Sequence, residues 1–493
     1  MLQNEIYERA RLARDPRFDG QFYIGVTTTG IYCRPICPVN APKPQNVRFF
    51  PTAAAAAEGG FRPCLRCRPE CAPGTPAWNG TSTTVRRGLR LIAGGALDGG
   101  DVEALAERLG VTSRHLRRLF TQHLGASPLA VAHTQRLHFA KRLIDETRLP
   151  MSHISVAAGY GSVRRFNDAF LKSYGRPPRE LRRAGRKEPA IARVNGSQPA
   201  LTLRLPYRAP FNWRGMLEFF GQRATPGVEC VDGNTYRRAL AIGGRHIVLQ
   251  VAPSVREGFL ALELEGAATE SLFEVVRRAR EVFDLDAPVA DIGDALGRDP
   301  ALRRLLARET GIRVPGAWSG FEITVRAILG QQVSVKGATT LAGRIADRYG
   351  EPLALAGRAP GGSLARIFPT PERLLRARFA RIGLVQSRAE TIRRVAAAVL
   401  DGSLQFDAAQ DPVEFCRALC RLKGIGDWTA QYVAMRALKH PDAWLATDLG
   451  LLKALQHPER MHPADLARRA ERWRPWRAYA ATLLWSSLPG SGG

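Results

Sequence analysis

Apolar and polar positions change rhythm along this chain, and the changes mark out its elements. From Leu201 to about Asp286 the segments LTLRLPY, RRALAI, HIVLQV and FLALELEG alternate as half-buried strands do, and SLFEVVRRAREVF among them has the period of a helix. Beyond Asp286 almost every apolar run has helical spacing. Between residues 84 and 184 the apolar residues fall into short amphipathic helices with brief breaks. The run Ala53 to Ala57 reads as a further helix start. Two stretches rich in proline, glycine and polar residues, APGTPAWNGTST at 72–83 and GRKEPAIARVNGSQPA at 185–200, separate these regions. The plan is a multidomain, mainly α protein. It has a small α+β domain over 1–80, an all-α domain over 84–184, a linker over 185–200, a mixed α/β subdomain over 201–288 and an all-α body over 289–490. No fixed-period tandem repeat overlays it.

The helical region 84–184 contains one motif twice. Asp101 to Glu107, the turn Leu109-Gly110-Val111, and a Thr112-Ser113 cap opening RHLRRLF read as helix, glycine turn, helix. About fifty residues on, Ile154 to Ala158, Gly159-Tyr160-Gly161, and Ser162 capping VRRFNDAFLKSYG repeat the order, with Gly175-Arg176-Pro177-Pro178 as the stop. An apolar helix near Leu137 to Ile144 joins the two.

Charge changes the picture. The chain carries a formal +27, and Val85 to Lys187 holds 20 Lys/Arg against 8 Asp/Glu. That excess draws polyanions, and without a lipid-anchor motif nucleic acid outranks an anionic membrane. The second helix of each unit then reads as a recognition helix, presenting Arg114, His115, Arg117 and Arg118, and Arg164, Arg165 and Asn167, to successive major grooves of double-stranded DNA. For any one arginine, phosphate contact or plain solvation outweighs base readout, because most protein–DNA bonds carry no sequence information. The start MLQNEIYERARLARDPRF lacks an apolar leader core, and no later stretch approaches the ~20 apolar residues of a membrane helix, so a cytoplasmic place and no membrane are expected.

Four of the eight cysteines form two close pairs, Cys33 and Cys37 in YCRPIC and Cys64 and Cys67 in PCLRC. Two pairs of this spacing supply a complete tetrahedral thiolate site for one zinc ion. Two disulfides are the other reading, and a reducing cytosol disfavours it. Cys71 is near enough to be an alternative ligand and ranks below the four; Cys230, Cys416 and Cys420 read as small core residues.

Tyr32-Cys33-Arg34-Pro35 after VTTTGI, and Phe61-Arg62-Pro63-Cys64 with Arg66 inside the second pair, resemble the N-terminal domain of the Ada DNA-alkylation response protein. The twin helix-turn-helix resembles the AraC-type transcription-factor domain. The Ada resemblance implies that Cys33 accepts a methyl group from a DNA methylphosphotriester, with zinc holding the thiol as its nucleophilic thiolate. It also implies that losing one thiolate charge weakens repulsion from DNA and favours promoter binding. No Pro-Cys-His-Arg motif occurs, so the O6-alkylguanine transferase half of such proteins is not expected.

Leu422-Lys423-Gly424-Ile425-Gly426-Asp427-Trp428-Thr429 places a G-I-G turn between two helices, and its glycines let the backbone turn tightly and offer amides to a phosphate. With Asp448 in WLATDLGLLKAL, AILGQQVSV at 327–335 and the terminal RWRPWRAYAATLLW, the region from about Leu201 to Leu488 resembles a helix-hairpin-helix DNA glycosylase of the AlkA type, 3-methyladenine glycosylase II. The resemblance implies that Asp448 is the catalytic carboxylate, that Trp428, Tyr432 and Trp485 line the base pocket, that Gly424 and Gly426 bind DNA and that Gln332 wedges into the duplex. Some relatives carry leucine at the wedge. Asp442 is the rival carboxylate, with a surface ion pair as its plain reading. Bifunctional relatives place a lysine where this chain has Trp428, so cleavage of the base without cutting the strand is expected, with no cofactor for that half.

Together these resemblances imply a bacterial, nucleoid-associated fusion of sensor and repair enzyme, whose partners are alkylated and promoter DNA and RNA polymerase. Two alternatives stay open: an activator whose glycosylase half only binds DNA, and a repair enzyme whose front half only tethers it.

Overall fold

The computed structural model describes residues 2–73, 83–182, 201–355, 364–406, 410–455 and 462–488. Over these the chain forms two compact units. One comprises the residues before Leu201 with Leu201–Arg208 and Ala268–Arg277; the other comprises Ala209–Ala267 and the chain from Arg278 onward. Of the two linkers expected from the sequence, the whole of 185–200 and most of 72–83 lie outside the described residues.

The first unit opens with helix Leu2–Leu12 and a sheet of four short strands, β1 (Tyr23–Val26), β2 (Ile31–Cys33), β3 (Val47–Phe50) and β4 (Arg62–Pro63), in the order β3-β1-β2-β4. β1 pairs antiparallel with β2 and β3, whereas β2 and β4 run parallel, with Tyr32 opposite Pro63. Aromatics fill both faces: Tyr7 stacks on Phe22 at 4.1 Å with Phe49 edge-on, and Tyr23, Tyr32 and Phe61 pack with Ala53 and Ala56 of helix Ala53–Glu58.

Next come helices Val102–Arg108, Ser113–Leu124, Pro128–Glu146, Met151–Ala157 and Val163–Tyr174. The two recognition helices share one local grammar. Thr112 Oγ1 accepts from His115 N at 3.3 Å and Ser162 Oγ from Arg165 N at 3.2 Å, each satisfying an amide the helix cannot. Each buries every fourth residue, Leu116, Phe120 and Leu124 in one and Phe166, Phe170 and Tyr174 in the other. Each ends at a glycine with φ +67°, Gly125 and Gly175. The joining helix is longer than its apolar run, because Ser127 caps it through Ala130 N at 3.3 Å and Pro128 takes the first-turn position where a missing N–H costs nothing.

In the second unit β6 (Glu229–Asp232), β7 (Thr235–Ile242), β8 (Arg245–Pro253) and β9 (Phe259–Glu265), which follow β5 (Leu201–Pro206) in the chain, form an antiparallel meander. β6 is too short to show alternation, and the sequence pattern missed it. The helical body carries two apolar clusters, one around helices Gly320–Leu329, Gln386–Leu400 and Asp427–Ala437, the other around Trp473, Trp476 and helix Arg477–Ser486.

A buried ionic network ties the meander to helix Gly320–Leu329. Glu229 receives Arg238 Nη1 at 2.8 Å, Arg326 Nη1 at 2.6 Å and the Tyr236 hydroxyl at 2.5 Å, while Glu322 pairs with both arginines. Burial alone would raise the Glu229 carboxyl, but Arg326, Arg238 and Tyr236 outweigh it and hold the group at about 2, below the ordinary 4.5. A carboxyl depressed in the folded state stabilises in full above the ordinary value, and its contribution fades as pH falls toward about 2. Glu229→Gln leaves two buried guanidiniums to share the single charge of Glu322 and is expected to cost about 3–5 kcal/mol. Urea unfolding of the variant at neutral pH checks the loss. The same titration at falling pH should show the wild type losing stability over a window in which the variant's profile is flatter.

Candidate functional site

The parallel pairing of β2 and β4 explains how two distant cysteine pairs meet. With Tyr32 opposite Pro63, and Cys64 N donating to Tyr32 O at 3.0 Å, Cys33 and Cys64 leave the sheet side by side. Tight turns then return Cys37, whose N donates to Arg34 O at 3.1 Å, and Cys67, before Arg68 N closes on Cys64 O at 3.1 Å. The ligand atoms of Cys33, Cys37, Cys64 and Cys67 all lie within 4.8 Å of one another, and all four residues are buried. All are free thiols. The set fits one tetrahedral zinc ion, which prefers four such soft donors. Arg34 braces it: its N donates to Cys67 Sγ at 3.3 Å, its Nη1 to Cys67 O at 3.0 Å, and its Nε to Asp19 at 2.8 Å. Cys71 stands outside this group, buried, with desolvation pushing its thiol up to about 11.

On the recognition helices Arg114, Arg118, Arg164, Arg165 and Asn167 are exposed. Arg117 is exposed as well, with its Nη2 3.0 Å from Glu103 on the preceding helix, and Arg118 Nη2 lies 3.1 Å from His115 Nδ1.

In the second unit Asp448 caps helix Leu449–Ala454, its Oδ1 accepting from Leu451 N at 2.9 Å. Two indoles complete its shell, Trp485 Nε1 donating to Oδ1 at 3.0 Å and Trp428 Nε1 to Oδ2 at 2.8 Å. A half-buried carboxylate with three donors is held in one orientation. Trp428 and Tyr432, one helical turn apart, stack at 5.3 Å with rings 6° from parallel, and Trp485 lies 6.4 Å from Tyr432. The structure thus brings the four aromatic and acidic candidates together, and it gives the tryptophans a second task, orienting the acid. Asp442 has the plain reading, paired with Arg477 at 2.8 Å and with Arg474.

Three further residues belong to this site and were missed by sequence reasoning. Arg436 Nη1 donates to the Tyr432 hydroxyl at 2.6 Å, and Arg436 and Arg223 flank the Phe219 ring at 4.8 and 4.0 Å. Burial would raise the Tyr432 phenol, but Arg436, Arg223 and Arg326 bring it below the ordinary value of 10.0. Phe219 and Arg223 show the four-residue spacing of one helix face, yet nothing local connects them to Tyr432, some two hundred residues away.

The hairpin runs from helix Pro412–Cys420 to helix Asp427–Ala437. Gly424 has φ +99°, and a Cβ there would lie 2.0 Å from Thr391 Oγ1, so only glycine fits. Gly426 caps the second helix with no side-chain bond and open space about it, leaving the first-turn amides for an anion. Gln331 Nε2 bridges to Gly424 O and Thr429 Oγ1, both at 3.0 Å, while Gln332 beside it is exposed at φ +53°.

Comparison with known proteins places each part. Residues 7–70 match the metal binding domain of Ada, 105–184 a helix-turn-helix domain, 202–319 the AlkA N-terminal domain and 325–478 the HhH-GPD superfamily of base excision DNA repair proteins. The 3-methyladenine DNA-glycosylase of Archaeoglobus fulgidus superposes with a TM-score of 0.51 at 26% identity, covering 57% of this chain and 97% of that one. DNA-3-methyladenine glycosylase 2 of Escherichia coli is 36% identical over 284 residues, 57% of this chain and 95% of its own. A probable bifunctional transcriptional activator/DNA repair enzyme AlkA of Mycobacterium tuberculosis is 41% identical over 485 residues, 97% of this chain and 95% of its own. With one such relative matched along nearly its whole length, and with metal-binding, helix-turn-helix and glycosylase parts in the same order, the chain belongs to the family of bifunctional transcriptional activator/DNA repair enzymes of the AlkA type.

Proposed function

We propose that the chain senses methylphosphotriesters in DNA by taking their methyl group onto Cys33, regulates transcription through its twin helix-turn-helix, and excises N-alkylated purines such as 3-methyladenine. The excision reading is carried by one observation: Asp448, fixed by Trp428, Trp485 and Leu451 N, beside a slot of stacked aromatic rings. An N-alkylated purine is cationic and leaves readily, so the protein has to select it, hold it and stabilise charge at the sugar. Stacking and cation–π attraction on Trp428, Tyr432 and Trp485 do the holding, at about 0.5–2 kcal/mol each. The Asp448 anion faces the positive charge that grows at the anomeric carbon as the N-glycosylic bond breaks. Water then adds to that carbon and gives up a proton; the base leaves neutral and an abasic site remains. Trp428 in place of a lysine supports a monofunctional enzyme. Gly424 and Gly426 would seat the duplex on backbone amides, and Gln332 would fill the gap left by the extruded nucleotide.

At the other site Cys33 Sγ attacks the methyl carbon, forming the S–C bond as the C–O bond breaks and a phosphodiester anion leaves. Bound zinc supplies a thiolate at neutral pH. Methylated Cys33 no longer carries an anionic thiolate, so repulsion from DNA phosphates falls. Arg114, Arg117, Arg164 and Arg165 then bind promoter DNA, with RNA polymerase as the partner of activation and the bacterial cytoplasm, on the nucleoid, as the place. No helix among the described residues is long and apolar enough to cross a membrane. Incubating the chain with one duplex that carries both lesions tests the whole reading: free 3-methyladenine and a methylated protein are both expected. An activator whose second half only binds DNA gives the second product without the first.

Replacing Arg164 and Arg165 by alanine is expected to weaken promoter binding and flatten its salt dependence. Each lost phosphate contact removes roughly 0.9 from the slope of log K against log salt. Filter binding or anisotropy across a salt series measures it, and an unchanged slope moves both residues off the DNA.

A further inference from the structure

Each thiol pair has a neighbour in sequence that is committed elsewhere in the same unit. Tyr32, beside Cys33, sets its hydroxyl 2.9 Å from His138 Nε2. Arg68, beside Cys67, sets Nη2 2.7 Å from Asp145 and Nε 3.2 Å from Glu70. His138 and Asp145 are two turns apart on one face of helix Pro128–Glu146, and between them Lys141 lies 2.6 Å from Asp145 and 3.7 Å from Glu70. The side chains of Glu70, Lys141 and Asp145 are at most 4% exposed, so the cluster is shielded from salt and water and tolerates little displacement. Both thiol pairs therefore plug into the helix that joins the two DNA-reading units.

The same domain also touches the C-terminal end of each recognition helix. Thr52 Oγ1 donates to Leu124 O at 2.9 Å, and Glu58 accepts from Ser127 Oγ at 2.6 Å and Ser127 N at 3.2 Å, where the first reader gives way to the joining helix. At the second reader the Arg62 guanidinium lies over Gly175, 3.2 Å from where a Cβ would stand. A helix-turn-helix pair reads DNA only if its two helices keep the spacing of successive grooves.

We infer that the metal-binding domain is the brace that holds the two recognition helices in register, with Tyr32, Thr52, Glu58 and Arg68 as positioning residues and helix Pro128–Glu146 as the part that feels whether the four thiols hold their metal. This rests on the zinc reading of the thiols, and it goes beyond the charge change at Cys33: it is mechanical and needs no DNA. Binding linkage makes it reciprocal, so a change in the helix must alter zinc affinity by the factor with which zinc alters the helix.

Hydrogen exchange of the full chain, zinc-loaded and after chelation, is the first measurement. Metal removal should speed exchange along residues 128–146 and around 124–125 and 174–175, and leave Gly320–Leu329 of the second unit as it was. The second is zinc affinity by competition with a chelator for Asp145→Asn and Tyr32→Phe, neither of which touches a ligand atom; about a 10-fold loss in the first is expected, within the usual range of coupling between sites. Tyr32→Phe removes a single oxygen, so it reports even if Asp145→Asn fails to fold. A chain that binds no zinc overturns the metal reading itself. A chain that binds zinc, yet shows the same exchange in 128–146 with and without it and wild-type zinc affinity in the variants, overturns the brace.

Discussion

Asp448→Asn is expected to lower the rate of 3-methyladenine release by roughly 10² to 10³, the usual effect of removing one preorganised charged group from a transition state. Asparagine is as good a helix cap as aspartate, so the bond from Leu451 N, 2.9 Å long in the wild type, survives and helix Leu449–Ala454 stays in place. What is lost is the anion. The new amide NH2 would face the Trp428 indole N–H, which now finds Oδ2 at 2.8 Å, so the side chain is also less firmly held. DNA affinity should hardly change if, as proposed, the hairpin amides and basic residues seat the duplex. Single-turnover base release, with binding followed in parallel, measures both. Excision near the wild-type rate removes Asp448 from the reaction.

Cys33→Ala is expected to abolish methylation of the protein by methylphosphotriester DNA while base release continues at the wild-type rate. Alanine has no atom that can form the S–C bond, so the effect is all or none. The variant keeps Cys37, Cys64 and Cys67, three donors that can still hold a metal with water in the fourth place, and the first unit should remain folded with weakened zinc. Intact-mass measurement after incubation with the modified duplex gives the answer, and a methyl group on the alanine variant moves the acceptor to another thiol. Unchanged excision is as informative as the lost methylation, because it shows that the two chemistries do not share residues.

Much of the local grammar was legible in the sequence. The capped openings at Thr112 and Ser162, the cysteine spacings, the G-I-G turn and the alternation of the later strands each depend on residues within one or two turns of each other. What sequence spacing does not carry is pairing across long distances. The parallel match of β2 with β4 that joins the cysteine pairs involves strands of three and two residues, too short for any period. Nothing in the spacing around Glu229 and Glu322 marks them out, yet both are buried against Arg238 and Arg326. The sequence resemblance makes Trp428 and Trp485 pocket walls and nothing more, because an indole ring announces its flat face in a sequence and not the direction of its single N–H.

That direction has a practical consequence. Of the eight tryptophans, Trp213, Trp318, Trp428, Trp444, Trp473, Trp476 and Trp485 belong to the second unit, and Trp78 lies outside the described residues. Intrinsic emission of this protein therefore reports almost wholly on its repair half. Two of the emitters donate to the Asp448 carboxylate, a group that quenches or shifts them according to its charge and hydration. Filling the slot with a base should dim or blue-shift the spectrum without any label, so one cuvette can follow the repair half of the molecule in the presence of the other.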